Sequence, residues 1–167
     1  TITYDALKVG IYGAERENKT PNASTGQQIT DEFNGVWYAT YSFGPVSIGY
    51  SESYLDSGVT GTAEATTAAK THRTAEGFYE STQMGIAFNV NENFSISYSE
   101  SVSTYDAQAH LKSGDTADVD QEIDAIQFAY SMGGMSIKAY QMDVTNPAHD
   151  EDADDRKVTE IALGLAF

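Results

Sequence analysis

Five carboxylates fall within seven residues in the segment His149-Asp150-Glu151-Asp152-Ala153-Asp154-Asp155. Oxygen donors at that density suit a hard cation, which makes Asp150, Glu151, Asp152, Asp154 and Asp155 candidate ligands for Ca²⁺ or Mg²⁺. The segment lacks the glycine-punctuated spacing of a calcium-binding loop, so a solvated acidic loop is the simpler reading and no metal is assigned. His72, His110 and His149 lie in three separate polar stretches. Three loops at one rim can converge on a metal, but scattered exposed histidines are the commoner case. Lys8, Lys138 and Glu160 share a strand parity with Tyr12, Tyr38, Gln127 and Tyr140. Charges gathered on one wall set the ion preference of an aqueous channel, whereas a structural ion pair only braces it; the residues leave both open. No Gly-x-Ser-x-Gly elbow is present, the chain has no cysteine, and the histidines have no evident catalytic partner. Neither an enzymatic activity nor a cofactor is expected.

The elements that must position these side chains are strands. About eight segments alternate apolar and polar residues with period two. The first runs from Asp5 toward Glu15, with Leu7, Val9 and Ile11 opposite Lys8, Gly10 and Tyr12. The second sets Trp37, Ala39, Tyr41 and Phe43 against Val36, Tyr38, Thr40 and Ser42, and the third sets Val46, Ile48 and Tyr50 against Ser47, Gly49 and Ser51. Met84, Ile86, Phe88 and Val90 mark the fourth, and Phe94, Ile96 and Tyr98 the fifth. The sixth carries Ile126, Phe128, Tyr130 and Met132, and the seventh Met135, Ile137 and Ala139 alternating with Ser136, Lys138 and Tyr140. The eighth ends the chain with Ile161, Leu163, Leu165 and Phe167 on one face. The run Val46-Ser47-Ile48-Gly49-Tyr50-Ser51-Glu52-Ser53 recurs as Phe94-Ser95-Ile96-Ser97-Tyr98-Ser99-Glu100-Ser101. Hairpin duplication and similar selection at similar positions both account for the repeat.

The connections are of two kinds. Tight turns at Gly44-Pro45, Asn91-Glu92-Asn93 and Gly133-Gly134 use residues that hairpins favour. Long polar stretches occupy 16 to 31, 56 to 76, 106 to 119 and 145 to 155. Short turns therefore lie at one end and long loops at the other, and an even strand count puts both chain termini at the short-turn end.

The 167 residues suit one domain, 1–167, and the net charge of -16 disfavours nucleic acid as a partner. No stretch reaches the roughly 18 apolar residues of a membrane helix, a test that a membrane barrel escapes because only alternate residues meet lipid. Eleven Tyr and seven Phe suit a β-rich chain. Phe43, Phe88, Phe94, Tyr130 and Phe167 sit beside tight turns or the chain end, where an interfacial aromatic girdle is expected. The opposite face is mostly Ser, Gly, Ala, Gln and Thr. Such small residues would fill a closed eight-stranded barrel badly, which favours eight strands of a wider, water-filled one. The bulky candidates for a pore lining are Lys8, Tyr12, Tyr38, Gln127, Lys138, Tyr140 and Glu160. Glu52, Glu80, Glu100 and Asp124 share parity with the apolar face, just beyond its apolar band, where charge is tolerated near an interface or inside a subunit contact.

The repeated strand motif, the Gly-Gly and Asn-centred turns, the acidic loops and the ending Glu160-Ile161-Ala162-Leu163-Gly164-Leu165-Ala166-Phe167 resemble the C-terminal half of a Gram-negative general-diffusion porin. The resemblance implies an all-β, antiparallel transmembrane β-barrel of the sixteen-stranded, trimeric kind in the bacterial outer membrane, passing small hydrophilic solutes and ions by passive diffusion. It also implies that Ile161, Leu163, Leu165 and Phe167 form a signal for the barrel-assembly machinery, and that lipid and lipopolysaccharide are neighbours. The acidic loops would then share divalent cations with lipopolysaccharide or concentrate cations at a pore mouth. No equivalent of the family's constriction loop is legible in these residues. The chain opens at Thr1-Ile2-Thr3, so either a signal peptide has been removed or the chain is a piece of something longer. Two other readings stand beside the porin: a small eight-stranded non-conducting barrel serving as anchor or adhesin, and a soluble ligand-binding β-sandwich.

Overall fold

The structure, a computed structural model, describes residues 1–17, 31–56, 58, 77–107 and 118–166. These form one antiparallel sheet whose nine strands follow one another in chain order. The strands are β1 (Ile2–Tyr4), β2 (Leu7–Arg16), β3 (Glu32–Phe43), β4 (Val46–Asp56), β5 (Gly77–Asn91), β6 (Phe94–Ala107), β7 (Val119–Met132), β8 (Met135–Thr145) and β9 (Arg156–Leu165).

Nine strands replace the expected eight. The extra one, β1, pairs Ile2 with Val9 and Tyr4 with Leu7. Three residues are too few for an alternation to register, and the signal for it is the turn at Asp5, whose φ of 53° reverses the chain. Because of that turn Thr1 runs back up the sheet instead of lying at the short-turn end. The other tight turns fall where expected. Gly44 and Gly133 take φ of 56° and 58°, a left-handed conformation that glycine adopts without penalty. The Asn91 side chain accepts the Asn93 N–H at 2.9 Å across the third. All four lie at one end of the sheet.

Side-chain parity carries across every ladder. Ile11 faces Trp37, Tyr41 faces Ile48, Ile48 faces Ile86, Ile86 faces Tyr98, and Tyr98 faces Ile126. All these project from one face, as do Leu163 and Leu165 of β9 through Ile137 and Met135. Apart from Tyr12, Leu55 and the bulged Val90, every exposed large apolar side chain belongs to this face. Ile11 is 83% and Ile161 70% exposed. Buried apolar side chains are few among the described residues: Tyr105, Val119, Ala139 and Val144. A β-sandwich covers such a face with a second sheet; the described residues form one sheet.

The apolar band crosses the sheet on a slant. On β2 and β3 its upper edge is the Ile11–Trp37 rung. On β9 the upper edge is Ile161, whose rung runs through Ala139, Phe128, Ile96, Phe88 and Val46 to Phe43. Phe43 lies six residues below Trp37 on β3, so the band drops six residues over the seven steps from β2 to β9. At about 3.4 Å per residue and about 4.8 Å per strand, that slope is about 30°. A flat slab cutting through tilted strands leaves such a trace, and strands in closed barrels tilt by roughly 35–45°.

Candidate functional site

The opposite, polar face is the candidate site. Near the tight turns it is built from Ser47, Gly49, Ala87, Ser95, Ser97, Ala129 and Ala162, and between β3 and β7 it borders an open hollow of about 690 Å³. The sequence-predicted lining residues fall into two groups at opposite edges of the sheet. Gln127, Lys138, Tyr140 and Glu160 line one hollow on β7 to β9. There the Tyr140 hydroxyl donates to Glu160 at 3.0 Å, so the carboxylate's bond runs to its cross-strand tyrosine and Lys138 sits one rung below. At the other edge, Lys8 lies 5.7 Å from the centre of the Tyr38 ring, a cation–π approach. That ring lies across Gly10, where any side chain would collide with it, and its hydroxyl meets Thr1 Oγ1 at 3.5 Å. Tyr12 continues this edge upward and is exposed. Lys8 and Lys138 are six strands apart, and no ladder among the described residues joins β9 to β1 or β2. Of the assembly-signal residues, Ile161, Leu163 and Leu165 project together from the apolar face of β9, and Phe167 lies outside the described residues.

Two of the outward carboxylates, Glu52 and Asp124, are held by neighbouring aromatics. Glu52 accepts from Trp37 Nε1 at 3.0 Å and from the Tyr50 hydroxyl at 2.6 Å. Asp124 accepts from the Tyr98 hydroxyl across the β6–β7 ladder. Each aromatic thus joins the apolar band by its ring and the acidic rim by its polar atom, the disposition that amphipathic rings take where apolar and wet regions meet.

At the long-loop end the polar face changes character. The 146–155 segment, leaving β8, folds back over it across β7 and β6 to reach β5. Asn146 Nδ2 donates to the Asp120 carbonyl at 2.8 Å, and the Ala148 N–H donates to Gln121 Oε1 at 2.7 Å. His149 Nε2 meets Ser103 Oγ at 3.2 Å, and its ring packs 5.2 Å from Tyr79 and 6.1 Å from Tyr105. The rings of Tyr79 and Tyr105 meet at 5.1 Å with their planes tilted by 49°. Asn146, Ala148 and His149 have φ of 48°, 63° and 56°. Left-handed backbone costs a residue with a Cβ about 1–2 kcal/mol, least for Asn, and persists only where contacts enforce it.

His149 corrects the expectation of scattered exposed histidines, since it is only 6% exposed. His72 and His110 lie outside the described residues. The sequence signal for the seat is the shared parity of Tyr79, Tyr105 and Val119, which gathers three large side chains on neighbouring strands at the long-loop end of the polar face. Ser103 takes a second bond from the Ser81 hydroxyl at 2.9 Å, so the Ser103–His149 pair works as a clamp. The acidic run is partly consumed in bracing the loop. Asp150 Oδ1 accepts the Asp152 N–H at 3.0 Å, and Asp155 Oδ1 the Asn146 N–H at 3.4 Å. Among the described residues, no three of His, Asp and Glu gather as a metal site, Asp150, Glu151, Asp152, Asp154 and Asp155 included.

Comparison of the chain with protein-family models, with curated proteins and with solved structures finds no match in any of the three.

Proposed function

We propose that the chain forms part or all of an outer-membrane β-barrel whose polar face lines a water-filled pore for passive diffusion of small hydrophilic solutes and ions. The observation that carries this reading is the exposed apolar band and its slant of about 30° across the ladders. Patches of more than a few hundred Å² seldom remain bare on a soluble monomer. Lipid would cover the band, tyrosines and Trp37 would sit at its upper interface, and the carboxylates above them would meet lipopolysaccharide or a neighbouring subunit of a trimer. Gln127, Lys138, Tyr140 and Glu160 would line the lumen at one seam, and Lys8, Tyr12 and Tyr38 at the other. The ending with Ile161, Leu163, Leu165 and Phe167 would serve the barrel-assembly machinery.

The second reading is a non-conducting barrel, and the 146–155 segment packed on the polar face favours it. Purified protein refolded in detergent and added to planar bilayers separates the two. Steady single-channel conductance supports the pore; its absence in protein with heat-modifiable gel migration supports the closed barrel. Protein that stays monomeric and soluble without detergent would remove both.

A further inference from the structure

The outward face carries a notch directly above the apolar band, framed by two rungs. The lower rung, Ile11–Trp37–Glu52–Thr82, is the upper edge of the band on β2 and β3. The next, Gly13–Gly35–Tyr54–Glu80, sets two glycines side by side on those strands. With no side chain at either glycine, the surface falls away into a hollow of about 590 Å³. Its walls are Ile11, Phe33, Trp37 and Tyr54, and the ring centres of Phe33 and Tyr54 lie 6.1 Å apart. Glu52 and Glu80 line its other side as diagonal neighbours across the β4–β5 ladder. Trp37 Nε1 and the Tyr50 hydroxyl each donate to one oxygen of Glu52, which fixes that carboxylate without neutralising it. Among the described residues the only basic side chain on this face is Lys157, on β9, and it is bonded to Asp143 at 3.0 Å.

Two carboxylates beside three aromatic rings favour a cation, and the rings favour one that sheds water easily, because cation–π attraction grows on desolvation. A hard metal ion takes about six to eight oxygen ligands. The notch offers two carboxylates, and among the described residues no three of His, Asp and Glu gather. An organic ammonium group fits instead. Below the notch the band continues down β2 from Ile11, 83% exposed, to Val9 and Leu7, a track for a hydrocarbon chain. We propose that the notch binds the ammonium head of an amphiphile, such as a lipid whose headgroup ends in an ammonium, with the chain laid along the band. The site requires the band to be open and requires no pore behind it.

Trp37 is the only tryptophan of the chain, so its emission reports on the notch it lines. In full-length protein folded in dodecyl maltoside micelles, N-dodecylpyridinium, a cationic amphiphile whose ring quenches indole on contact, should quench Trp37 saturably. Glu52→Gln with Glu80→Gln should raise the half-quenching mole fraction about tenfold. Gly13→Val should do the same by filling the notch, at a position where a Cβ meets nothing closer than 3.9 Å and the fold has room for it. Removing two charges elsewhere on the face, by Glu100→Gln with Glu122→Gln, should leave the half-point within about twofold. Dodecyltrimethylammonium, which does not quench, should restore the emission, and tetramethylammonium at the same concentration should not. Quenching that Gly13→Val leaves unchanged, or that both pairs of charge removals weaken equally, overturns the site. Restoration by tetramethylammonium as complete as by the long-chain ion overturns the amphiphile. Conductance in bilayers is read separately. Saturable quenching in protein that never conducts leaves the notch standing and removes the pore, whereas conducting protein without saturable quenching removes the notch alone.

Discussion

The two halves of the polar face obey different rules. Toward the tight turns it is a bare wall of Ser47, Gly49, Ser97, Ala129 and Ala162 around an open hollow. Toward the long loops it carries Tyr79, Tyr105 and Val119 beneath the 146–155 segment, and there lie both of the largest fully buried side chains, Tyr105 and Val119. The bare half has almost nothing to gain from packing, so its stability comes from the ladders and from whatever covers the apolar face. The covered half has a small core of its own. Conformational change is therefore expected where the contacts are removable, in the segment that covers the second half, while the first half stays a fixed wall.

The sharpest way to break this contrast is truncation on both sides of it. Tyr105→Ala removes a fully buried ring and should cost about 3–5 kcal/mol in urea unfolding of the detergent-folded protein. Ser97→Ala in the bare half should stay within about 0.5 kcal/mol. Equal effects would mean that the two halves are packed alike. A second contrast sets one face against the other. Ile86→Arg places a charge in the apolar band and should cost about 2–4 kcal/mol in lipid, whereas Ser97→Arg, facing the hollow, should be nearly neutral. If the two arginines cost the same in bilayers, the apolar face does not meet lipid. Within the covered half, His149→Phe at neutral pH exchanges the Ser103 bond for an apolar ring of similar reach. The expected loss is about 1 kcal/mol, measured by the same unfolding.

The walls were legible in the sequence and the cover was not. Period two assigned Lys8, Tyr38, Gln127, Lys138, Tyr140 and Glu160 to one face because every ladder keeps parity, and Gly44, Asn91 and Gly133 announced their turns by backbone chemistry. These are local properties. The nine-strand count failed at Ile2–Tyr4, where three residues hold too little pattern. His149 failed for a deeper reason: its burial depends on Ser103, 46 residues away, and on Tyr79 and Tyr105, none of which its neighbours in sequence disclose. The run from Asp150 to Asp155 suggested solvent or a cation, yet two of its carboxylates are engaged by backbone N–H groups of the loop itself. The slant of the apolar band was also hidden, since strands compared one at a time contain no information on register.

The smallest expected effect tests whether the cover is held under strain. Ala148 has φ of 63°, and its N–H is used by Gln121 Oε1 at 2.7 Å. Ala148→Gly keeps that donor and removes the Cβ that disfavours left-handed backbone, so the seated segment should gain about 1 kcal/mol. The unfolded chain gains freedom from the same change, which trims the gain in global unfolding below that figure. Local opening is the better readout. Hydrogen exchange of the Ala148 and His149 amides in the folded protein should slow several-fold on Ala148→Gly, while Ser95 and Ser97 in the bare half keep their rates. Faster exchange at 148 and 149 would mean that the left-handed backbone is a relaxed turn, held against the sheet by the contacts of Asn146, Ala148 and His149 without strain.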